Sequence, residues 1–215
     1  MKVVVGKKVH LMDREEVTER AAPFEEVLVD LGTGDGRFVL GWARDHPETL
    51  AIGLDAVQDA MRDTSRRAAA KAARGGAANA LFVVASAEDL PPELTGLASH
   101  VTINFPWGSL LRGVVAAEPW LLQGLTGLAR PGARFTALVN YSVFQDDDYR
   151  ERLGMPPLDL MASGEEFKEA WRRQGLLLEQ SALLRKNVPH RTSWGQRLVK
   201  GSDRSTLLLT GTISK

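Results

Sequence analysis

The chain has 215 residues, no cysteine and a formal net charge of zero, which excludes disulfides, thiol nucleophiles and cysteine-bound metals. It is 44% hydrophobic and 25% charged, as is ordinary for a globular protein of one domain. It has no apolar run long enough to predict a membrane span, no signal-peptide pattern, and histidines too scattered to predict a metal site. We therefore expect a cytoplasmic protein that binds no metal.

Apolar runs of strand length alternate with helical patterns, which predicts an α/β fold with a doubly wound sheet. The first 22 residues, with a Gly-Lys pair between two alternating runs, predict an N-terminal hairpin extension. Seven strands should follow, mostly parallel with an antiparallel last strand, because a polar stretch separates the last two runs. Helices are expected from residue 37 to Pro47 and over 56–74, 107–129 and 163–174.

Two segments, 141–162 and 184–203, fit no regular element. Long irregular insertions in a compact domain are usually functional. We therefore predict a single domain over 1–215 with two functional inter-strand insertions.

The neutral total charge hides an uneven distribution. Acids cluster in 13–26, whereas cations dominate 62–74 and 185–204. Such segments can be solvated surfaces, or they can form a basic face that binds a polyanion.

The stretch "VLVDLGTGDG" ends a buried strand with a glycine turn, and Asp55 ends the next strand. Glycines let a ligand approach the backbone closely, and an acid at the second strand can accept hydrogen bonds from ribose hydroxyls. The spacing is G-x-G-x-G rather than the dinucleotide pattern, and Asp30 before it would repel a pyrophosphate. A cationic nucleoside fits better than a nicotinamide cofactor, although the glycines could also serve only to turn the chain.

This glycine pattern resembles motif I of the class I S-adenosylmethionine-dependent methyltransferases, whose seven-stranded sheet with an antiparallel last strand matches the predicted elements. The resemblance implies S-adenosylmethionine as cofactor, with "ASAEDLP" holding its adenine. The cofactor-binding residues expected from it are Asp30, Gly32, Gly34, Asp55, Ala56, Ala87 and Glu88.

The stretch "NFPWGS" follows the fourth strand, where this superfamily presents the methyl group. Amino-directed nucleic-acid methyltransferases carry N/D-P-P-Y/F/W there, but here Phe105 replaces the first proline. Trp107 is thus expected to stack on a base, although it could instead cap the sheet as a core residue. Trp194 lies in a Ser-, Gly- and Arg-rich loop, and together the two tryptophans could clamp an extruded base.

Four motifs, "VDLGTGDGR", "FPWGSLLRG", "TSWGQRL" and "LTGTIS", make the chain resemble the aminoglycoside-resistance 16S rRNA methyltransferases of the Kam type. The resemblance implies methylation of N1 of adenine 1408 in the 30S subunit, with Trp107 and Trp194 as the catalytic pair. It also implies that Ser109 and Ser193 bind the cofactor, and we expect Asn104 to hold the cofactor or orient the base. A monomer is expected, because it suits docking on a large particle. The implied RNA-binding residues are Phe105, Pro106, Arg66, Arg67, Lys71, Arg191, Arg197, Lys200 and Arg204.

Three alternatives stay open at this point. The first is a methyltransferase acting on another RNA base, such as a tRNA purine, which would use the same residues. The second is a small-molecule methyltransferase with the insertions as a lid, which their basic content disfavours. The third is a non-catalytic RNA-binding module, which the intact glycine motif and acids disfavour.

Overall fold

The computed structural model describes residues 1–140, 147–152, 154, 164–184 and 205–214. Within these ranges the chain forms one nine-stranded sheet with helices on both faces. The strands are β1 (Lys2–Val5), β2 (Lys8–Leu11), β3 (Glu26–Leu31), β4 (Thr49–Asp55), β5 (Ala80–Val84), β6 (Ala98–Asn104), β7 (Ala129–Asn140), β8 (Leu176–Leu184) and β9 (Thr206–Ile213). The helices are α1 (Arg14–Ala21), α2 (Arg37–Asp45), α3 (Gln58–Ala68), α4 (Gly108–Val115), α5 (Pro119–Leu128), α6 (Asp147–Arg152) and α7 (Glu165–Arg173).

The strand order is β2-β1-β5-β4-β3-β6-β7-β9-β8. The strands β5, β4, β3, β6 and β7 are parallel, whereas β9 runs antiparallel to both β7 and β8. The predicted α/β fold with an antiparallel last strand is confirmed. The predicted count of seven strands is wrong, because the N-terminal hairpin joins the same sheet through antiparallel pairing of β1 with β5.

The predicted helices need four corrections. The helix predicted over 56–74 ends at Ala68, and a 3₁₀ turn follows at Ala72–Arg74. The helix predicted over 107–129 is two helices, because Pro119 begins α5 and lacks the N–H that a continuous helix needs. Helix α1 went unpredicted despite its capping box of Asp13 and Glu16. Helix α6 lies in the insertion 141–162, which was predicted to hold no regular element.

The central parallel strands are buried on both faces, as near-continuous apolar strands predict, whereas β2 and most of β8 at the two edges are exposed or half-buried. A smaller core on one face joins α2 and α3 to the sheet through Phe38, Met61 and Phe82. A larger core on the other face receives side chains from α1, α4, α5 and α7, including the fully buried Trp171. This packing holds the carboxyl ends of β3, β4, β5 and β6 at one edge, where α/β proteins bind ligands. Within the described ranges, no helix is long and apolar enough to cross a membrane.

Candidate active site

A cleft of about 420 Å³ lies at the carboxyl edge of the four central strands. Four segments line it, one after each of β3, β4, β5 and β6. It gathers every predicted cofactor residue that the structure describes: Asp30, Gly32, Gly34, Asp55, Ala56, Ala87, Glu88, Asn104 and Ser109. Ser193, which was predicted to join them, lies outside the described residues.

The turn after β3 depends on glycines in the left-handed region of backbone space. Gly32 and Gly34 have φ angles of 69° and 59°, which side chains with a Cβ rarely adopt. A Cβ on Gly32 would also lie 2.7 Å from Leu110 Cδ2, whereas a Cβ on Gly34 would meet nothing within 4 Å. The turn therefore packs closely against α4 at Gly32 and stays open above Gly34.

Asp55 is oriented by hydrogen bonds from two backbone N–H groups. Its Oδ2 accepts a hydrogen bond from the Gly34 N–H, and its Oδ1 accepts one from the Val57 N–H, each at 2.8 Å. A carboxylate has about four acceptor positions, so these two bonds orient the group without exhausting its capacity. Asp55 thus keeps acceptor capacity for further donors, which its predicted bonds to ribose hydroxyls would need.

Asp30 is a buried carboxylate on the cleft floor, only 1% exposed. Its Oδ1 accepts hydrogen bonds from Thr102 Oγ1 and from Asn104 Nδ2, each at 2.8 Å. Burial raises the pKa of Asp30 to about 6, although the hydrogen bonds oppose the shift, and the nearby charge of Asp55 adds to it. A cation in the cleft would offset this cost of burying a negative charge.

Glu88 connects the loop after β5 to helix α4. Its Oε1 accepts a hydrogen bond from Ser109 Oγ at 2.5 Å, and its Oε2 accepts one from Ser86 Oγ. These two hydrogen bonds, first that of Ser109 and then that of Ser86, lower the pKa of Glu88. Sequence reasoning missed Ser86, although a serine two residues before an acid in a loop is a local signal for such a bond.

The turn after β6 orients Trp107 away from the core. Phe105 has a positive φ of 52°, donates its N–H to the Leu138 carbonyl at 2.7 Å, and packs against Leu138 and Leu208. Its side chain is 4% exposed and Pro106 is also buried, although both residues line the cleft. The RNA contact predicted for these two residues stays a prediction. Strained backbone of this kind concentrates at functional sites.

Trp107 follows as the residue before α4 and is 45% exposed at the cleft mouth. The alternative that it caps the core is therefore wrong. Tyr149 on α6 lies beside it, with ring centroids 6.3 Å apart and an interplanar angle of 77°. No motif pointed to Tyr149, because nothing in the local sequence places the insertion against this turn. The other predicted catalytic tryptophan, Trp194, lies outside the described residues.

The predicted RNA-binding cations of α3 lie far from the cleft. Helix α3 begins just after the carboxyl end of β4 and runs back along the sheet for eleven residues, which is about 16 Å. Arg66 and Arg67 are exposed in its last turn and Lys71 is exposed three residues beyond it, and Arg66 pairs with Asp63 at 3.2 Å. Four other predicted cations, Arg191, Arg197, Lys200 and Arg204, lie outside the described residues.

Comparison with known proteins decides the family. The family model for NpmA, 16S rRNA (adenine(1408)-N(1))-methyltransferase, matches residues 2–213. The chain belongs to this family. The resemblance predicted from the four motifs is therefore confirmed, and with it the S-adenosylmethionine-dependent methyltransferase class.

Relatives of this family match along their full length. The 16S rRNA (adenine(1408)-N(1))-methyltransferase of Streptoalloteichus tenebrarius is 37% identical over 218 residues, with 100% of each chain covered. A mutant of the corresponding Catenulisporales acidiphilia enzyme, solved with its cosubstrate SAM, has a TM-score of 0.86 and 33% identity over 100% of this chain and 97% of that one. The aminoglycoside resistance methyltransferase NpmB1 has a TM-score of 0.85 and 37% identity over 99% of this chain and 98% of that one.

Proposed function

We propose that this chain methylates N1 of adenine 1408 in the 16S rRNA of the 30S subunit and thereby confers aminoglycoside resistance. One observation carries the proposal: a cleft with three oriented carboxylates opens at an exposed tryptophan, in a chain that the family model matches over residues 2–213. The exposed ring is what a methyltransferase acting on a flat base needs at that place.

The cleft residues fit S-adenosylmethionine. Asp55 would accept hydrogen bonds from the ribose hydroxyls, and Glu88 with the Ala87 backbone would hold the adenine. Asp30 would face the cationic amino acid portion, where its buried carboxylate gains a counter-charge. When bound, the donor supplies an activated methyl group on a positively charged sulfur.

The methyl-transfer step requires little proton transfer by the protein. Adenine N1 carries its own lone pair, so accepting a methyl group there removes no proton in that step. The side chains then need to hold the two reactants close and in line, and orientation of this kind can supply a large part of a rate enhancement. The engagement of Asp30 by Thr102 and Asn104 fits this view, because it makes Asp30 a fixed electrostatic group rather than a general base.

Trp107 would provide one stacking face for the target base. Stacking of a base on an aromatic side chain contributes about 1–3 kcal/mol, and a base taken out of its helix needs such compensation. Trp194 would provide the opposite face. This role is proposed from the sequence, because Trp194 lies outside the described residues.

The separation of the cations from the cleft favours a large folded substrate. The far end of α3 lies about one helix length, roughly 16 Å, from the cleft edge. An RNA that reaches both places needs a shaped surface rather than a short strand, and folded RNA is read mainly by shape and phosphate contacts. We therefore propose docking of a single copy of the chain on the assembled 30S subunit in the cytoplasm.

The test is transfer of labelled methyl to purified 30S subunits, with naked 16S rRNA and tRNA in parallel. Primer extension across the decoding site then locates the product, because a methyl on N1 blocks Watson–Crick pairing. A stop one nucleotide before adenine 1408, on 30S subunits only, is the expected result. Label in 30S subunits without that stop would overturn the assigned base or atom, and label only in tRNA would overturn the rRNA substrate.

A further inference from the structure

The contact between Trp107 and Tyr149 joins the cleft to the insertion between β7 and α7. Their ring centroids lie 6.3 Å apart at 77°, within the range of a favourable edge-to-face aromatic pair. Tyr149 does not line the cleft. Among the described residues, its ring contacts the site through the ring of Trp107.

Helix α6 is too short to be stable by itself, since isolated helices of one or two turns are marginal in water. Two contacts of Tyr149 and one ion pair within α6 support its position. Its side chain packs against the larger core, the Arg152 guanidinium lies 5.7 Å from the centre of its ring, and Asp147 pairs with Arg150 across one turn at 2.8 Å. Tyr149 therefore presents a supported ring to Trp107.

We propose that Tyr149 is a positioning residue that sets the plane of the Trp107 ring before the target base arrives. This inference rests on the proposed stacking role of Trp107. A half-exposed side chain on a turn can choose among several staggered rotamers. An aromatic neighbour packed against it narrows that choice, so less ordering remains to be done when the base binds.

The main test is a double-mutant cycle of Tyr149→Ala and Trp107→Ala, followed by single-turnover methyl transfer to 30S subunits with the enzyme in excess. Tyr149→Ala should slow transfer by about threefold to tenfold, the strength of one aromatic pair, and leave donor affinity unchanged. Tyr149→Phe should restore the rate, because the ring and not the hydroxyl makes the contact. In the Trp107→Ala background the Tyr149→Ala change should have no further effect.

The matched control is Glu151→Ala, which removes an exposed side chain from the same helix and should leave transfer unchanged. Fluorine NMR of the protein labelled with fluorotryptophan reports on the surroundings of the Trp107 ring, and the Trp107 signal is assigned by its loss in Trp107→Phe. This signal should shift in Tyr149→Ala and stay in place in Glu151→Ala. An equal loss from Tyr149→Ala with and without Trp107 would overturn the proposal, as would a Tyr149→Phe variant as slow as Tyr149→Ala. A Trp107→Ala enzyme with full activity would overturn the proposed stacking itself, which is a separate result.

Discussion

Ser109 donates its hydroxyl to the Glu88 carboxylate at 2.5 Å, and this bond ties the loop after β5 to the first turn of α4. Trp107 lies two residues before Ser109, at the start of the same helix. One hydrogen bond therefore connects the residue proposed to hold the adenine, Glu88, with the helix that begins after the proposed base-stacking residue, Trp107. A carboxylate near a helix N-terminus is also favoured by the helix dipole.

Removal of that bond should weaken donor binding. Ser109→Ala leaves Glu88 with the Ser86 hydroxyl alone, so the carboxylate loses one of its two orienting partners and its pKa should rise toward the ordinary value. We expect roughly a tenfold weaker donor affinity, the lower end of the effect of one hydrogen bond to a charged group, because Glu88 is exposed. Calorimetric titration with S-adenosylmethionine measures it, with Thr18→Ala on α1 as a hydroxyl-deletion control. Unchanged affinity would show that the bond does not orient Glu88 for the donor.

Asp30 should make donor binding depend on pH. Its pKa is raised to about 6, and a cationic ligand prefers the ionised carboxylate, so donor affinity should rise as the pH increases through about 6. Asp30→Asn should lose most donor affinity together with this pH dependence. Donor titrations between pH 5 and 8 test both, and a wild-type affinity that stays flat over that range would contradict the assigned role.

The same residue should make the donor-free protein more stable in mild acid. Because the folded pKa of about 6 lies above the ordinary value of 3.8, folding is coupled to the uptake of a proton between about pH 4 and pH 6. The stabilisation is fully present below about pH 4 and is lost as the pH rises through about 6. Asp30→Asn should abolish this trend and keep the donor-free protein folded, since the asparagine oxygen can accept the bonds from Thr102 and Asn104. Urea unfolding across this pH range, with and without the substitution, is the measurement.

Trp107→Ala should separate donor binding from methyl transfer. Loss of one stacking face predicts about a tenfold to hundredfold slower transfer to 30S subunits, with donor affinity within twofold of wild type. Leu183→Ala on β8, a comparably exposed apolar side chain, serves as the control. Cells expressing Trp107→Ala should also lose aminoglycoside resistance. A fall in donor affinity as large as the fall in rate would assign Trp107 to the donor site instead.

Trp194→Ala is expected to behave in the same way as Trp107→Ala if the two rings clamp one base. Donor binding should persist while most methyl transfer is lost. The same calorimetry and transfer assay apply. Retention of wild-type transfer would limit the stacking surface to Trp107.

The cations at the end of α3 should act on docking alone. The double variant Arg67→Gln/Lys71→Gln should raise the KM for 30S subunits, with kcat and donor affinity unchanged. The salt dependence of 30S binding should fall by about one logarithmic slope unit for each phosphate contact removed. Arg130→Gln/Lys168→Gln, which removes two cations elsewhere, is the matched control. An equal effect of both pairs would indicate a general charge effect instead of a local docking surface.

Sequence by itself determined the fold class, the donor motif and the family. These depend on local patterns, because an apolar strand followed by glycines, with an acid after the next strand, produces the same turn and the same ligand contacts wherever it occurs. The place of Trp107 after β6 could also be predicted, since its position at a strand end follows from the strand pattern.

Only the tertiary structure decided how the parts combine. The hairpin joins the main sheet because β1 pairs with β5 across about eighty residues of sequence, and no local pattern specifies such a partner. Phe105 is buried because Leu138 and Leu208 of two later strands enclose it. Tyr149 meets Trp107 for the same reason: contacts between distant segments are chosen by packing.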